Sequence, residues 1–451
     1  MSEESRAIVK ALENVLVRLS EQPYPHVPNP QGCEKRASVA AIIRVRPAFT
    51  PILSAKDSVV AVSEPSSPPT SLRDFFSQEW VQQGDPEMLF IKRAGRAGDR
   101  WSGHTALPGG KRDPEDADDL AAAVRETREE IGLDLDSTDC LHAGNLPERL
   151  VTTSWGKETL MVLCPYIFVL TGKTSPSLQP QPTEVASVHW VSFRALLSPT
   201  LRTTEAVDIS SRMAKRVGPF VHRLIRLAIG KMLFSAVRLV PTESIYASSI
   251  PGFIPTADRQ QPSSRAGWSL TPFGSPPSPK LLTYQHPILL WGLTLGVLAD
   301  LLDQLPPYNA VALWKYPTFT VPDLRLIVYI LTRPFRKASA ESLSSGSWPS
   351  QTAVDSTTEA TAVPTSEPPP TVSEAEPLEL AKQTSFDRSS VGIGGLGVGS
   401  HPQHAVGRLL HGYYERVNVA IAVFLVYRTA LSAGILLGAY KVWKRRRGGN
   451  L

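Results

Sequence analysis

The stretch GGKRDPEDADDLAAAVRETREEIGL, Gly109 to Leu133, decides how the rest of the chain is read. Asp113 or Asp116 suits an N-cap, Pro114 suits a first helical turn, and acidic residues crowd the end that a helix dipole favours for them. A helix is expected to start there. Leu120, Val124, Thr127 and Ile131 recur at three- and four-residue steps, so they form one stripe able to pack on a sheet. Gly132 supplies a left-handed stop. At ~100° per residue, Glu126, Glu129 and Glu130 fall together on the face away from that stripe. Arg125, four residues before Glu129, is placed to hold it.

Three carboxylates within one turn raise one another's proton affinity, and a hard divalent cation removes the conflict. Mg²⁺ takes oxygen ligands and shares them with substrate phosphates, so the pattern suits attack of water on a diphosphate. A glutamate pair alone reads as a solvated helix face. The Pro108-Gly109-Gly110 approach and the Gly132 exit set this one apart.

Arg125 to Leu133 matches the R-E-U-x-E-E-x-G-U core of the Nudix box, with Thr127 at the aliphatic position U. The full box, G-x5-E-x7-R-E-U-x-E-E-x-G-U, is not kept: Ala117 stands where the first Glu belongs and Lys111 where the first Gly belongs, because the loop is one residue longer. That longer loop, PGGKRDPEDADD from Pro108, resembles the coenzyme A diphosphatase branch of the Nudix hydrolases, in a fungal-type long form with a hydrophobic C-terminal tail. The approach MLFIKR (Met88 to Arg93) and GHTALP (Gly103 to Pro108) is similar to that branch, with Leu107 for its Phe and His104 for its Gln. Gly144-Asn145-Leu146-Pro147, the strand ending at Pro165 and Trp291-Gly292-Leu293-Thr294 agree.

The resemblance implies an α/β fold, the Nudix α/β/α sandwich with a mixed sheet, over residues 36–305, with insertions at 50–83 and 198–282. It implies Mg²⁺- or Mn²⁺-dependent hydrolysis of coenzyme A or acyl-CoA to 3′,5′-ADP and a phosphopantetheine product. Glu126, Glu129 and Glu130 become the metal ligands, Glu126 and Glu129 acting in catalysis, while Glu184 is a base or an extra ligand. Gly109 or Gly110 offers a backbone carbonyl at the substrate, and Arg125 and Gly132 are structural. Arg93, Arg96 and Arg100 read either as a solvated basic loop or as electrostatic capture of phosphates. The missing first Glu and Thr127 leave two other readings open: a pyrophosphatase for another nucleoside diphosphate derivative, or a membrane-tethered binding module without chemistry.

Outside this region, Glu4 to Ser20 forms an amphipathic helix with Ile8, Leu12, Val15 and Leu19 on one side; Glu3 and Glu4 argue against a secretory signal. Strands are expected over Ala37–Val45, Met88–Lys92, Cys140–Leu146, Arg149–Thr153, Thr159–Leu170 and Val185–Val191, with SWGK as a hairpin turn. Leu72–Val81 and Phe193–Leu197 read as short helices and Met213–Ile229 as a basic amphipathic helix, while Gln260–Pro279 reads as loop. Pro287–Leu305 is apolar but too short for the ~20 residues of a span. Residues 306–337 extend the domain, and within them Leu324–Leu331 reads as a packed helix. Residues 338–403 lose their apolar content and read as a tether.

The last element, within residues 404–451, is Val417 to Tyr440, about 24 residues broken only by Arg428 and closed by KVWKRRR. Its length suits a membrane span, against which Arg428 counts ~3 kcal/mol at mid-bilayer. A small-residue face around Ala430, Gly434 and Gly438 offers a helix partner, and an interfacial helix is the rival reading. An intracellular protein fixed by its tail, in a mitochondrial or peroxisomal membrane, is the expected placement, although the basic end then conflicts with the positive-inside tendency. The net charge of +5 is modest and the basic residues do not alternate with aromatics, so nucleic acid is not an expected partner. Three cysteines without metal-type spacing fit a reducing compartment.

Overall fold

The computed structural model describes residues 3–48, 68–95, 103–152, 159–209, 223, 227–249, 287–344, 405–410 and 412–448. The expectations for residues 50–67, Arg96, Arg100, the SWGK turn, most of Met213–Ile229, Gln260–Pro279 and residues 345–403 lie outside them.

Helix α1 (Glu3–Glu21) leads into the central strand β1 (Arg36–Arg46), and two short helices, α2 (Leu72–Ser77) and α3 (Glu79–Gln82), precede β2 (Asp85–Arg93). Then come β3 (Thr105–Ala106), β4 (Gly109–Lys111) and the box helix α4 (Asp119–Ile131). The sheet is completed by β5 (Cys140–Asn145), β6 (Arg149–Thr152), β7 (Thr159–Leu170) and β8 (Val185–Ser192). After α5 (Phe193–Leu197) follow β9 (Arg202–Val207), β10 (Met232–Arg238) and β11 (Glu243–Tyr246). The main sheet runs β11-β8-β2-β1-β7-β5, with β3 on β2, β4 on β1 and β6 on β7. Only β1 and β7 pair in parallel among the described strands, so the sheet is mixed.

The two-residue period of β1 explains the layers. Ala41 and Ile43 face α1, meeting Ile8, Leu12 and Leu16, while Ala40 and Ile42 face the other way toward Ile131 of α4. The expected sandwich is present. All three thiols are free.

The region expected to be an insertion is not mere loop. β9 and β10 form a second sheet with β12 (Leu289–Trp291) and β13 (Thr318–Phe319), in which β10 lies centrally, while β11 returns to the edge of the first sheet. The polar run RTTEAV and the short ESIY carry too little period-two signal to announce strands. Helix α6 (Gly292–Leu302) is buried from Leu295 onward.

Helix α7 (Pro322–Ser344) is longer than the packed segment expected and runs into the presumed tether, its last turns carrying a Lys337–Glu341 pair at 3.7 Å. The C-terminal part is α8 (Ala405–Leu410) and α9 (Tyr413–Gly448). It does not merely hang from a tether. Val417, Ala420, Ile421 and Phe424 are buried in the main core, and α9 runs antiparallel to α7, with Tyr413 beside Phe335 and Arg428 paired with Asp323 at 2.7 Å.

One buried carboxylate joins this segment to the sheet: Asp300 of α6 accepts from Arg149 of β6 and, at 2.7 Å, from the Ala405 N–H of α8. Breaking a buried ion pair from one side leaves the other charge uncompensated, at a cost of ~3–5 kcal/mol. Asp300→Ala should therefore lower the denaturant midpoint and make residues 405–424 protease-sensitive; an unchanged midpoint in guanidinium titration would contradict this linkage.

Candidate active site

The box helix begins later than expected. Asp118 is its N-cap, accepting from the Ala121 N–H at 2.7 Å, and Gly132 ends it at φ 71°. Asp113 and Asp116 do not cap it because Asp116 is engaged elsewhere: it takes Arg125 through Nε and Nη2, both at 2.9 Å, and the Asp113 N–H at 2.8 Å. Asp116, one position before Ala117, is thus the loop carboxylate paired with Arg125. Arg125 holds its carboxyl below the usual range. A sequence reading that allows the loop to shift by one residue would find it.

The expected stripe packs on the core, Thr127 and Ile131 fully and Leu120 and Val124 in part, but the buried face of α4 is wider than that stripe. Asp119, Ala122, Ala123, Thr127, Glu130 and Ile131 face inward, whereas Leu120 and Val124 are half-buried. Thr127 fits an apolar position because its hydroxyl donates to the Ala123 carbonyl at 2.7 Å. The glutamates are not on the far face as expected. Side-chain exposure is 2% for Glu130, 17% for Glu126 and 58% for Glu129, so two point under the helix edge and one into solvent.

What receives them is the Gly109-Gly110 backbone. The Gly109 N–H donates to Glu130 Oε2 at 2.8 Å. Gly109 has φ +141°, and a Cβ there would lie 2.2 Å from the Ser38 carbonyl of β1. A Cβ on Gly110 would lie 2.4 Å from the Glu126 carboxyl carbon. The two glycines therefore make the space in which the carboxylates sit.

Arg125 braces the outer side, with Nη1 3.1 Å from both Glu126 and Glu129 and Nη2 donating to the Lys111 carbonyl at 3.0 Å. Arg93 lies 3.6 Å from Glu130 Oε1, so it faces the glutamate cluster. Glu184 is placed by the turn leading into β8: its N–H donates to Gln181, its carbonyl accepts from Ala94, and the Gln181 N–H bonds the Glu130 carbonyl. Its charge raises the proton affinity of both Glu126 and Glu130. His104 stacks near Trp291 at 4.9 Å, tying the loop before the glycines to the second sheet.

Burial is the main cause that pushes Glu130 up to about 8, opposed by the Gly109 N–H and Arg93 and reinforced by Glu126 and Glu184. Glu126 is raised too, again chiefly by burial. A set of oxygen donors that resists its own ionisation fits a hard divalent cation, which would stabilise the charged forms. Of the box glutamates, Glu126 and Glu130 turn inward and Glu129 outward.

A second acidic group is already satisfied. Among the described residues, the His26, Asp119 and Glu148 ligand atoms lie within 4.8 Å of one another. Arg36 occupies their midst, with Nε 2.7 Å from Asp119 and Nη2 2.7 Å from Glu148. This guanidinium bolts α4 to β1 and to the turn after Gly144-Asn145-Leu146-Pro147. Sequence reading missed it, since the partners are 83 and 112 residues away.

A NUDIX domain model matches residues 80–211. An uncharacterized protein of Schizosaccharomyces pombe is 34% identical over 282 residues, covering 61% of this chain and 75% of that one. The human mitochondrial coenzyme A diphosphatase NUDT8 is 47% identical over 51 residues, 11% of this chain and 22% of its own. The mouse peroxisomal coenzyme A diphosphatase NUDT7 is 30% identical over 122 residues, 25% of this chain and 44% of its own. The chain thus spans less than half the length of either diphosphatase.

Two outcomes follow from the geometry. Because Glu130 ionises at about 8 when folded and near 4.5 when unfolded, the metal-free fold keeps a proton that the unfolded chain has lost between those values. Its stability should fall as pH rises from 4.5 to 8. Glu130→Gln should flatten that slope and raise the metal-free melting temperature at pH 8 by several degrees, read by scanning calorimetry. Gly110→Ala should displace Glu126 and reduce divalent-ion affinity by titration calorimetry; unaltered affinity would mean the Glu126 position is immaterial.

Proposed function

This chain carries a Nudix domain and belongs to one family with the fission-yeast protein, and from that premise we propose that it is a metal-dependent hydrolase of the diphosphate in coenzyme A or an acyl-CoA. The products are 3′,5′-ADP and phosphopantetheine or its acyl derivative. The observation that carries the reading is the inward carboxylate group of Glu126 and Glu130, set against Gly109-Gly110 and facing Glu184 and Arg93. The branch-type loop from Pro108 and the similarity to the human and mouse coenzyme A diphosphatases support coenzyme A as the substrate class.

Glu126, Glu129 and Glu130 hold Mg²⁺ or Mn²⁺, with Glu184 as a further ligand or base. When bound, the ion neutralises the diphosphate charge, polarises phosphorus and acidifies water. The chain's own residues do the rest. Arg125 fixes Glu126 and Glu129 at equal distance from one guanidinium nitrogen, so both stay oriented as substrate arrives. Arg93 attracts the phosphates and limits their approach to Glu130. Gly109 and Gly110 let the diphosphate reach the backbone. Water forms a new P–O bond, the bridging P–O bond breaks, and the water's proton passes to a carboxylate, for which Glu184 is the assigned acceptor.

Residues 36–305 constitute the hydrolase domain in this reading, and α9 attaches it to a membrane. The helix is long and apolar enough to cross one by length and composition. The mitochondrial human and peroxisomal mouse relatives favour a membrane of one of these organelles.

The full-length protein in detergent with Mg²⁺ or Mn²⁺ should release 3′,5′-ADP from coenzyme A, resolved by ion-pair chromatography. Glu126→Gln and Glu129→Gln should each lower kcat by roughly 10²-fold or more, as expected for removal of a group acting on the reacting centre. Preference for ADP-ribose in the same assay would overturn the coenzyme A assignment and keep the hydrolase. Tight nucleotide binding with no turnover would overturn both.

A further inference from the structure

Helix α9 changes character at one point along its length. Up to Phe424 it is part of the protein core: Val417, Ala420, Ile421 and Phe424 are buried, and the Tyr413 hydroxyl donates to the Pro317 carbonyl at 2.6 Å. From Leu425 to Arg445 every side chain is exposed, although the sequence there is mostly apolar. A continuous 36-residue helix links the two halves.

The boundary carries charge, and the charge is matched. Arg428 lies 2.7 Å from Asp323 in the first turn of α7 and sits over the Phe424 ring at 5.3 Å. At the far end Tyr440 and Trp443 approach to 6.1 Å, among Lys441, Lys444 and Arg445. Aromatic rings mixed with basic side chains are the composition of a bilayer interface. Between the two ends, Arg428 to Trp443 extends ~24 Å at ~1.5 Å per residue, and local thinning of the ~30 Å of bilayer hydrocarbon absorbs the difference. Leu326 and Ile330 of α7 are also exposed, on the domain side of the Asp323–Arg428 pair.

Resting on the membrane reading above, we propose that the catalytic domain is mounted on the bilayer by the docked half of α9, and that the linker of residues 345–404 is not its mechanical connection. The Asp323–Arg428 pair then marks the membrane surface, where an ion pair keeps water and needs no full desolvation. The enzyme has no stand-off from the membrane, because one helix is both core and anchor.

A protease site inserted between Ser366 and Glu367 tests this in the full-length chain reconstituted in phosphatidylcholine–phosphatidylserine vesicles. After cleavage shown complete by gel, the 1–366 fragment should float with the vesicles. A fragment that stays at the bottom of the gradient while 367–451 floats would overturn the mounting and leave the membrane reading intact. If the uncut protein does not float, the membrane reading falls and the mounting with it. Arg428→Glu should release more of the cut fragment, and combining it with Asp323→Lys should restore retention; equal retention in all three would also overturn the assigned boundary.

Discussion

Two glycines without side chains, set between a helix and a central strand, are the constraint on which this site depends. A Cβ at Gly109 would overlap the β1 backbone and one at Gly110 would overlap Glu126. Only their absence lets α4 come close enough for Glu130 to receive the Gly109 N–H. The closeness buries carboxylates, and burial raises their proton affinity. The affinity for a divalent cation proposed above would in this sense be a product of packing: the fold brings acids together in a place that disfavours their charge.

Much of this is legible in the sequence, and the gaps have physical causes. Gly132 as helix stop, the Arg125–Glu129 contact and the alternation of β1 all follow from local rules. The inward turn of Glu130 does not follow from the hydrophobic period, because the real buried face is wider than the stripe of Leu120, Val124, Thr127 and Ile131. The real one is set by small Ala122 and Ala123, which allow close approach, and by Asp119, which is drawn in by Arg36. Long-range ion pairs leave no periodic trace. Nor do the polar strands of the second sheet, whose place comes from pairing with β10.

The same lesson applies to the C-terminal helix. Arg428 reads as a defect in an apolar span when taken alone, and as half of an ion pair once Asp323 is beside it. Apolar periodicity cannot tell lipid from protein as the medium that covers a helix. Here Val417 to Phe424 use one and the exposed remainder is free for the other.

The exchange of strands between the sheets bears on how this protein can be divided. A chain cut to the family-matched residues 80–211 would lack β1, the strand that joins β2 to β7. It would also lose β11, leaving β8 with an unpaired backbone edge beside buried Val188 and Trp190. Bare edges of that kind recruit other chains. Shortened forms would tend to precipitate for a topological reason, so recombinant work on the hydrolase should keep both sheets whole.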